Sequence, residues 1–321
     1  MTTFLLRRLG ASLLLLLLVL TFLFFFLRLL PGNPINADEA QRLTAEQRQK
    51  LQRLYGLDRP LPDQYVTWIS SLARGDWGTS LSQQRPVSAA LWDVLPATVI
   101  LASAALGVEI ATALLLGVLA ARRRGSALDH AIRITTLLFY SQPLFWLGLM
   151  AILLFSYVWP VLPASHMRSV DAELMSPLGR FLDLLRHLVL PATVMGLGTA
   201  GATARFIRGS LIEVMGQDYI RTARAKGLSE RRVVWVHGLR NALVPFTQVF
   251  AISLPLLLSG SLIVEVVFSW PGLGRLAFQA ILTRDYPLIL GATTLSAAVV
   301  ILGSFLADVL QVLVDPRVRD A

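Results

Sequence analysis

The stretch "LGASLLLLLLVLTFLFFFLRLL", residues 9–30, decides the class of this fold. It is apolar almost throughout, and its one charged residue, Arg28, lies near its far end. A bilayer core requires about twenty consecutive apolar residues of helix. A secretory signal peptide has an apolar region of only about 7 to 15 residues, followed by a small-residue cleavage site. This run is longer and ends in Pro31-Gly32-Asn33-Pro34, so it is predicted to be an uncleaved membrane-spanning helix.

The composition of the whole chain agrees with a membrane location. Hydrophobic residues make up 55% of the 321 residues and charged residues 15%, whereas an average soluble domain has about 25% charged residues. The net charge of +9 would suggest nucleic acid as a partner of a soluble protein, but in a membrane protein the placement of charges is more informative. The chain has no cysteine, which excludes disulfides, thiolate metal sites and cysteine nucleophiles.

Five further apolar stretches of spanning length follow the first. The predicted spans are residues 9–30, 95–121, 132–159, 188–207, 244–267 and 287–312. The predicted fold is an all-α membrane protein in which six transmembrane helices place both termini on one side.

Positive charge gives the predicted orientation. Short cytoplasmic loops carry an excess of Lys and Arg. With the N-terminus inside, the inner segments hold Arg7, Arg8, "ARRRG" at 121–125 and a basic loop at 208–243, whereas the outer loop 31–93 has seven basic and seven acidic residues. The orientation is therefore predicted to be N-in and C-in.

Three regions are predicted along the chain. Residues 1–93 comprise the first span and a helical cap outside the cytoplasm, 94–313 form the transmembrane core with the cytoplasmic loop 208–243, and 314–321 form a cytoplasmic tail. In the cap, Thr44 and Gln47 have the spacing of a capping box. A second cap helix is predicted after "RPLP", where Tyr65, Ile69 and Leu72 recur at helical spacing.

No catalytic, cofactor or metal site is predicted. The four histidines, at 130, 166, 187 and 237, lack metal-ligand spacing. The stretch "GLGTAGAT", 196–203, has the glycine spacing of a phosphate-binding loop, but Ala202 stands where the lysine is needed. Gly196, Ala200 and Ala204, with Gly198 and Ala202, are instead predicted to form small-residue stripes that let helix backbones approach closely in lipid. The chain is predicted not to be an enzyme and not to hydrolyse ATP itself.

Glu109 lies in the middle of the second predicted span, where a carboxylate is costly and suggests a function. Three interpretations are open: a polar contact in a conduit, a structural hydrogen bond to a neighbouring helix, or a proton site. The second is favoured most and the proton site least, because no other deep carboxylate, lysine or histidine forms a chain with Glu109.

The basic loop contains "DYIRTARAKGLSERRVVWVHGLRNALVP", residues 218–245. A helix from Tyr219 to Lys226 is predicted to end at Gly227, which readily adopts the left-handed conformation that closes a helix. Ser229 is predicted to cap a second helix, with Glu230 at its positive end. Small residues between the basic ones suit insertion into a groove on a partner protein.

At this point the sequence resembles the permease subunits of ATP-binding-cassette importers, in the dipeptide, oligopeptide and nickel branch. Gly227 and Leu239 match the spacing of the cytoplasmic E-A-A-x-x-x-G-x(9)-I-x-L-P motif, although "RTA" at 221–223 replaces E-A-A, His237 the isoleucine and Arg240 the proline. The resemblance extends over nearly the whole chain through "FLLRRLG", "LPGNP", "YGLDRPLPDQY", "GDWGTS", "FWLGL", "VEVVFSWPGLGRL", "RDYPLI" and "DPRVR".

This resemblance implies a multi-pass subunit of a prokaryotic cytoplasmic (inner) membrane with a type I ABC importer permease fold. Its implied partners are a second homologous permease in a heterodimer, two cytoplasmic ATPases that bind ATP and Mg²⁺, an extracytoplasmic solute-binding protein and membrane lipid, and not nucleic acid. Contact with an ATPase is expected at Tyr219, Ala223, Arg224, Lys226, Gly227 and Leu228. The expected lining of the translocation pathway is Glu109, Ser141, Gln142, Pro143 and Trp146, although helix kinking alone would also explain Pro143.

Di- and oligopeptides are the expected substrates, because the resemblance is greatest to peptide permeases. Nickel, glutathione or another small solute is the alternative within the same architecture. An ion-coupled secondary transporter using Glu109 is the alternative from a different class. Such a transporter usually has inverted repeats with interrupted helices, and none is found in the sequence.

Overall fold

The computed structural model describes residues 2–29, 58–242 and 262–314, and these are largely helical. Within these ranges the only strand-like pairing is an isolated antiparallel bridge between Thr79 and Pro86. The prediction of an all-α membrane protein is confirmed.

The helices are numbered in chain order over the described residues. They are α1 (Thr2–Leu29), α2 (Leu61–Ala73), α3 (Val87–Arg122), α4 (Ala127–Ser141), α5 (Leu144–Ile152), α6 (Pro177–Met215), α7 (Asp218–Ala225), α8 (Glu230–Arg232), α9 (Leu239–Ala242), α10 (Leu273–Leu282) and α11 (Tyr286–Val314). π-helical turns at Leu153–Val158 and Val233–Gly238 follow α5 and α8, and a 3-10 turn at Ala172–Leu174 precedes α6. Residues 262–267 are also helical.

Among the described residues, α1, α3, α6 and α11 are each long and apolar enough to cross a membrane. A fifth span results if α4 and the helical residues Leu144–Val158 are counted together, and these two pieces meet at an angle of 101°. The break falls at Gln142-Pro143, within the predicted span 132–159, because proline cannot donate the helical hydrogen bond and restricts the residue before it. The predicted span 244–267 lies mostly outside the described residues, so the six-span count stays a prediction.

Two of the spanning helices are much longer than predicted. Helix α3 has 36 residues and α6 has 39, and at 1.5 Å per residue both exceed the roughly 30 Å of a bilayer core. Hydropathy locates only the apolar part of each helix, because the first turns of α6 contain Arg180, Asp183 and Arg186.

Helices α3 and α6 form the centre of the bundle, and glycines allow them to pack closely. A Cβ atom added at Gly196 would lie 2.6 Å from the carbonyl oxygen of Ala105, and one added at Gly117 would lie 2.8 Å from that of Ala204. Ala200 and Ala204 are also buried. Close helix packing is therefore confirmed for Gly196, Ala200 and Ala204, whereas Gly198 is half-buried and Ala202 is exposed.

Helix α2 begins at Leu61, inside "RPLP" rather than after it as predicted, because proline is tolerated in the first turn of a helix. It packs on α1. The ring of Phe24 lies 5.3 Å from that of Trp68 and 5.5 Å from that of Tyr65, centroid to centroid. The hydroxyls of Thr21 and Tyr65 are 2.7 Å apart and hydrogen-bonded. The predicted capping box at Thr44 and Gln47 lies outside the described residues.

Candidate functional site

The 218–242 segment follows α6 and turns sharply at Gly227. Gly227 has φ +79°, its N–H donates to the carbonyl of Arg224 at 2.9 Å, and the N–H of Leu228 donates to that of Ala223 at 3.4 Å. These two bonds, with a left-handed residue between them, form a Schellman motif that ends α7. The predicted glycine corner is confirmed as local structure.

Apolar side chains attach this corner to the bundle. Ile220, Ala223 and Val233 are buried together, with Met215 and Leu228 packed against them. Val234, Leu239 and Ala242 are buried against Ile207 and Leu211 of α6. The Ser210 hydroxyl donates to the carbonyl of Ala242 at 2.9 Å. The segment is therefore packed along the end of α6 rather than suspended from it.

An ion pair joins the two arms of the corner. The Arg224 guanidinium donates to both carboxylate oxygens of Glu230, from Nε at 3.1 Å and from Nη2 at 2.8 Å. These bonds lower the pKa of Glu230 and raise that of Arg224. Ser229 stands at the cap position before α8, but its hydroxyl makes no capping hydrogen bond. Glu230 thus joins the two helices in addition to lying at the start of α8.

The residues predicted to contact an ATPase do not all face the same way. Tyr219, Arg224, Lys226 and Gly227 are exposed, and the Tyr219 hydroxyl accepts a hydrogen bond from Asn241 at 3.0 Å. Leu228 is half-buried, whereas the Ala223 side chain is buried inside the corner, beside Ile220 and Val233. Ala223 is small because α7 packs closely there, and its methyl group does not reach the exposed face.

A cavity of about 410 Å³ lies between this corner and the ends of α3 and α6. Its polar lining comprises Arg122, Arg124, Arg224 and Glu230. The "ARRRG" loop and the 218–242 segment therefore share one basic surface.

A buried ion pair holds the "ARRRG" loop and α4 against α6. The Arg208 guanidinium donates from Nε and from Nη2 to the two carboxylate oxygens of Asp129, each at 2.7 Å. The N–H of Gly125 donates to the same carboxylate at 2.9 Å. Asp129 is 1% exposed, so the Asp129–Arg208 ion pair is buried, unlike the exposed Arg224–Glu230 pair in the corner.

The structure separates the residues predicted to line a pathway. Glu109 is buried, and it accepts a hydrogen bond of 2.7 Å from the Thr203 hydroxyl of α6. This contact is the interhelical hydrogen bond favoured from the sequence. Ser141, Pro143 and Trp146 are exposed at the break between α4 and α5, where Gln142 is half-buried.

Two buried carboxylates, one in the helical residues 262–267 and one directly before α11, accept hydrogen bonds from distant parts of the chain. Glu265 accepts from the Thr98 hydroxyl at 2.8 Å and from the N–H of Arg275 at 2.9 Å, and Thr98 in turn accepts from the N–H of Leu273 at 2.7 Å. The Trp270 indole N–H donates to the carbonyl of Ala97 at 2.8 Å. These bonds explain the motif "VEVVFSWPGLGRL": its carboxylate, tryptophan and glycines fold the loop onto α3.

Asp285 is the second of these carboxylates, and it explains two other motifs. It accepts from the Ser80 hydroxyl at 2.6 Å and from the Ser82 N–H at 2.8 Å, and its other oxygen accepts from the N–H of Leu288 at 3.1 Å. Asp285 therefore caps α11 and ties "RDYPLI" to "GDWGTS". An acidic residue directly before a helix was the available sequence signal, but its partner is about two hundred residues away along the chain.

Over residues 2–29, 58–242 and 262–314, no group of three or more His, Cys, Asp or Glu side chains could hold a metal ion.

A bundle of long apolar helices, with a helical corner packed on one end, defines a multi-pass α-helical membrane protein. Family models identify its kind: "Binding-protein-dependent transport system inner membrane component" matches residues 113–320, and the N-terminal model of such membrane components matches residues 1–102. The chain belongs to this family of binding-protein-dependent inner-membrane transport components. The predicted resemblance to permease subunits of ATP-binding-cassette importers is thereby confirmed, as is a multi-pass inner-membrane location.

Full-length relatives narrow the comparison. The chain is 40% identical to the di/tripeptide transport system permease protein DppB of Pseudomonas aeruginosa and 37% identical to the dipeptide transport system permease protein DppB of Escherichia coli K12, with 99% of each chain covered. It is 34% identical to the oligopeptide transport system permease protein AppB of Bacillus subtilis, over 99% of this chain and 100% of that relative.

Proposed function

We propose that this chain forms half of the translocation pathway of an ATP-driven importer for di- and oligopeptides. Full-length similarity to relatives named for dipeptide, di/tripeptide and oligopeptide transport carries this proposal. The other half is a second, homologous permease in a heterodimer, an extracytoplasmic binding protein delivers the peptide, and two ATPases supply the energy. The chain itself catalyses no reaction and holds no nucleotide.

The 218–242 segment is the proposed contact with one ATPase. Its exposed face presents Arg221, Arg224, Lys226 and the backbone of Gly227, which suit a groove with acidic and polar walls. Its opposite face packs on α6 through Ile220 and Val234. A displacement of this segment is therefore transmitted directly to a spanning helix, which is the kind of physical connection that coupling between two states requires.

Variants at Gly227 test the coupling role, with Gly125 as a matched control. Both glycines have positive φ, +79° and +77°, and a Cβ atom added at either would meet nothing within 4 Å. Because neither site is crowded, Gly227→Glu and Gly125→Glu introduce the same backbone strain and the same charge. In reconstituted complexes, Gly227→Glu should assemble normally but lose peptide uptake and the ATPase activity stimulated by the loaded binding protein, whereas Gly125→Glu should retain both.

A third variant separates contact from backbone strain. Asn tolerates the left-handed region better than other non-glycine residues. Gly227→Asn should therefore fold with less strain than Gly227→Glu, yet still place a side chain in the contact. Coupling that is unchanged in Gly227→Glu would contradict the docking assignment. Loss of coupling to the same degree in Gly125→Glu would show that charge on this face, not contact at the corner, is responsible.

The proposed orientation, with both termini in the cytoplasm, has its own test. The chain has no native cysteine, and Ala225 and Gln83 are both exposed, at opposite ends of the bundle in the proposed topology. Single cysteines at these two positions should be labelled by an impermeant maleimide from opposite sides of the membrane. Labelling of both from the same side would contradict the topology.

Substrate class is tested directly on the assembled system. Uptake of labelled di- and tripeptides into proteoliposomes should be saturable and should require ATP on the side of the ATPases. Uptake of nickel or glutathione in place of peptides would move the chain to another branch of the same architecture. No second class of function is proposed, because the Glu109–Thr203 hydrogen bond supports a structural role for that carboxylate.

A further inference from the structure

Helices α4 and α6 approach closely at Gly201, and a cation on α6 and an aromatic ring on α4 each lie one turn from this contact. A Cβ atom added at Gly201 would lie 2.5 Å from the carbonyl oxygen of Thr136. Arg205 follows Gly201 by four residues, and Tyr140 follows Thr136 by four. The guanidinium carbon of Arg205 lies 5.3 Å from the centre of the Tyr140 ring, within the range of a cation–π interaction.

The direction of the side chains explains this pairing. The contacts Asp129–Arg208 and Thr136–Gly201 show that the two helices run antiparallel. Helical side chains lean toward the N-terminus of their own helix. Arg205 therefore leans away from the Asp129–Arg208 ion pair and into the bundle, where Tyr140 leans toward it. A lysine or arginine near the end of a span usually extends toward the nearer membrane surface instead.

One nitrogen of the Arg205 guanidinium can still donate a hydrogen bond. Its Nη1 atom is buried and has no hydrogen-bond partner among the described residues. Arg208, one turn along the same helix, differs because its Nε and Nη2 are both bound to Asp129. A charge at this depth is unfavourable in lipid, so such groups face protein or a water-filled cavity.

Exposed side chains that carry polar groups continue from Tyr140 across the helix break. Tyr140 is 52% exposed and Trp146 is 43% exposed. Between them, Ser141 and Pro143 are exposed where the helix breaks. Interrupted backbone within a membrane is tolerated where it lines a cavity or is buried in protein. Arg205 therefore lies beside an exposed helix break, where Phe139 and Phe145 are exposed as well as Tyr140 and Trp146.

We propose that Arg205, oriented by the ring of Tyr140, forms a subsite that binds the carboxylate of a peptide as it passes through the pathway. This inference rests on the proposed peptide-import function. A guanidinium binds a carboxylate through two parallel N–H bonds, and stacking on a ring fixes the plane of the donors. The Tyr140 hydroxyl supplies a further donor beside them. Every free peptide carries a carboxylate, so the subsite recognises the class without selecting a side chain.

A labelling experiment measures the charge at this surface without depending on transport. A cysteine at Ser141, in an assembled complex whose other subunits carry no accessible cysteine, is treated with an anionic or a cationic methanethiosulfonate reagent. The anionic reagent should react faster, and Arg205→Gln should lower the anionic-to-cationic rate ratio by roughly tenfold, as expected for loss of one nearby charge. Arg133→Gln, on the exposed face of α4, is the matched control and should leave the ratio unchanged.

The same cysteine reports on peptide binding. A dipeptide with a free C-terminal carboxylate should protect it from labelling, whereas the C-terminal amide of the same dipeptide should not. Equal protection by the acid and the amide would overturn the proposal. An unchanged reagent ratio in Arg205→Gln would also overturn it, and would indicate that the guanidinium is neutralised in the assembly by another subunit or a lipid phosphate.

Measurements of peptide uptake distinguish a failure of this subsite from a failure of the proposed import function. In proteoliposomes, Arg205→Gln should raise the KM for the free acid by roughly ten- to a hundredfold, the range expected for loss of charge-assisted hydrogen bonds. Arg205→Lys should be intermediate, and uptake of the amide should change little. The same binding protein serves every variant, so its own preference for acid over amide cancels in the comparison.

Failure of the proposed import function and failure of the subsite would give different results. A wild-type complex that imports no peptide contradicts the proposed function itself. A wild-type complex that imports peptide, with an acid-to-amide ratio identical in Arg205→Gln, contradicts only the subsite. A loss of acid and amide uptake together, with loss of assembled complex, would show that Arg205 is structural and would also overturn the subsite.

Discussion

Loss of the Asp129–Arg208 ion pair should destabilise the protein unequally, depending on which partner is removed. Asp129 is 1% exposed, and its carboxylate accepts from Arg208 twice and from Gly125 once. Arg208 is 21% exposed. A carboxylate left without its partner is therefore cut off from water, whereas a guanidinium left without its partner is still partly hydrated.

The magnitudes follow from this asymmetry. Removing one partner of a buried pair costs about 3–5 kcal/mol. Arg208→Gln should lie near the upper end, because it leaves the buried charge uncompensated. Asp129→Asn should lie near about 3 kcal/mol, because the amide oxygen still accepts from the N–H of Gly125 and Arg208 can contact water. The double variant Asp129→Leu/Arg208→Leu should cost less than either single change, because apolar replacement of a buried pair is often close to neutral.

Equilibrium unfolding of the purified protein in detergent measures these free energies. The control is Asp93→Asn, which removes an ion pair of similar length, 2.6 Å, whose side chains are 39% and 63% exposed. That control should change the free energy of unfolding by no more than about 1 kcal/mol. The reasoning is refuted if Arg208→Gln costs no more than Asp93→Asn, or if the double variant costs as much as the sum of the single changes.

Three other predictions concern separate contacts. Gly201→Ala should destabilise the protein by about 1–3 kcal/mol, because its Cβ would meet the carbonyl of Thr136. Gly209→Ala, in open space on the same helix, should instead stabilise it by up to about 1 kcal/mol. Equal unfolding free energies for the two variants would contradict this account of the packing. Thr98→Val should cost about 2–3 kcal/mol, because it removes a donor to Glu265 and an acceptor for the N–H of Leu273, and hydrogen exchange at Leu273 should accelerate. The Arg224–Glu230 pair lowers the pKa of Glu230, so its contribution is complete above the ordinary value of 4.5 and is lost as pH falls through the lowered value. Because the pair is about half exposed, Glu230→Gln should cost at most about 1 kcal/mol at pH 7 and nothing at a pH well below that value.

The sequence predicts the spans and the glycine corner because both depend on local properties. A run of apolar residues is enough to locate a spanning helix, and a glycine after a short helix is enough to locate its end. The 39 residues of α6 exceed the prediction because the polar start of a helix has no hydropathy signal. The break at Gln142-Pro143 was visible as a proline within polar residues, but the angle of 101° depends on how the two pieces pack.

The contacts that sequence reasoning missed are those between distant parts of the chain. The sequence places Glu265 near the outer end of the fifth predicted span and assigns Asp285 no role. Nothing local shows that Thr98 and Ser80 are their partners. Ala223 was predicted to face a partner because it is small and lies among basic residues. Burial against Val233 gives a different reason for the same small residue. The contact of this segment with an ATPase stays a prediction, but the small size of Ala223 now has a second explanation in the packing inside the corner.

Helix α6 connects the features that the proposed function requires. At one end it carries the 218–242 segment, packed on Ile207 and Leu211. Between Ile207 and Leu211 it carries Arg208, bound to α4, and two residues before Ile207 it carries Arg205, placed against Tyr140 beside the helix break. Its middle part is fixed to α3 through Gly196 and through the Thr203–Glu109 hydrogen bond. A force applied to the 218–242 segment therefore reaches α4 and the proposed subsite through contacts of one continuous helix. Loss of the Asp129–Arg208 pair should interrupt this connection, so that ATP hydrolysis no longer moves the helix break at Gln142-Pro143.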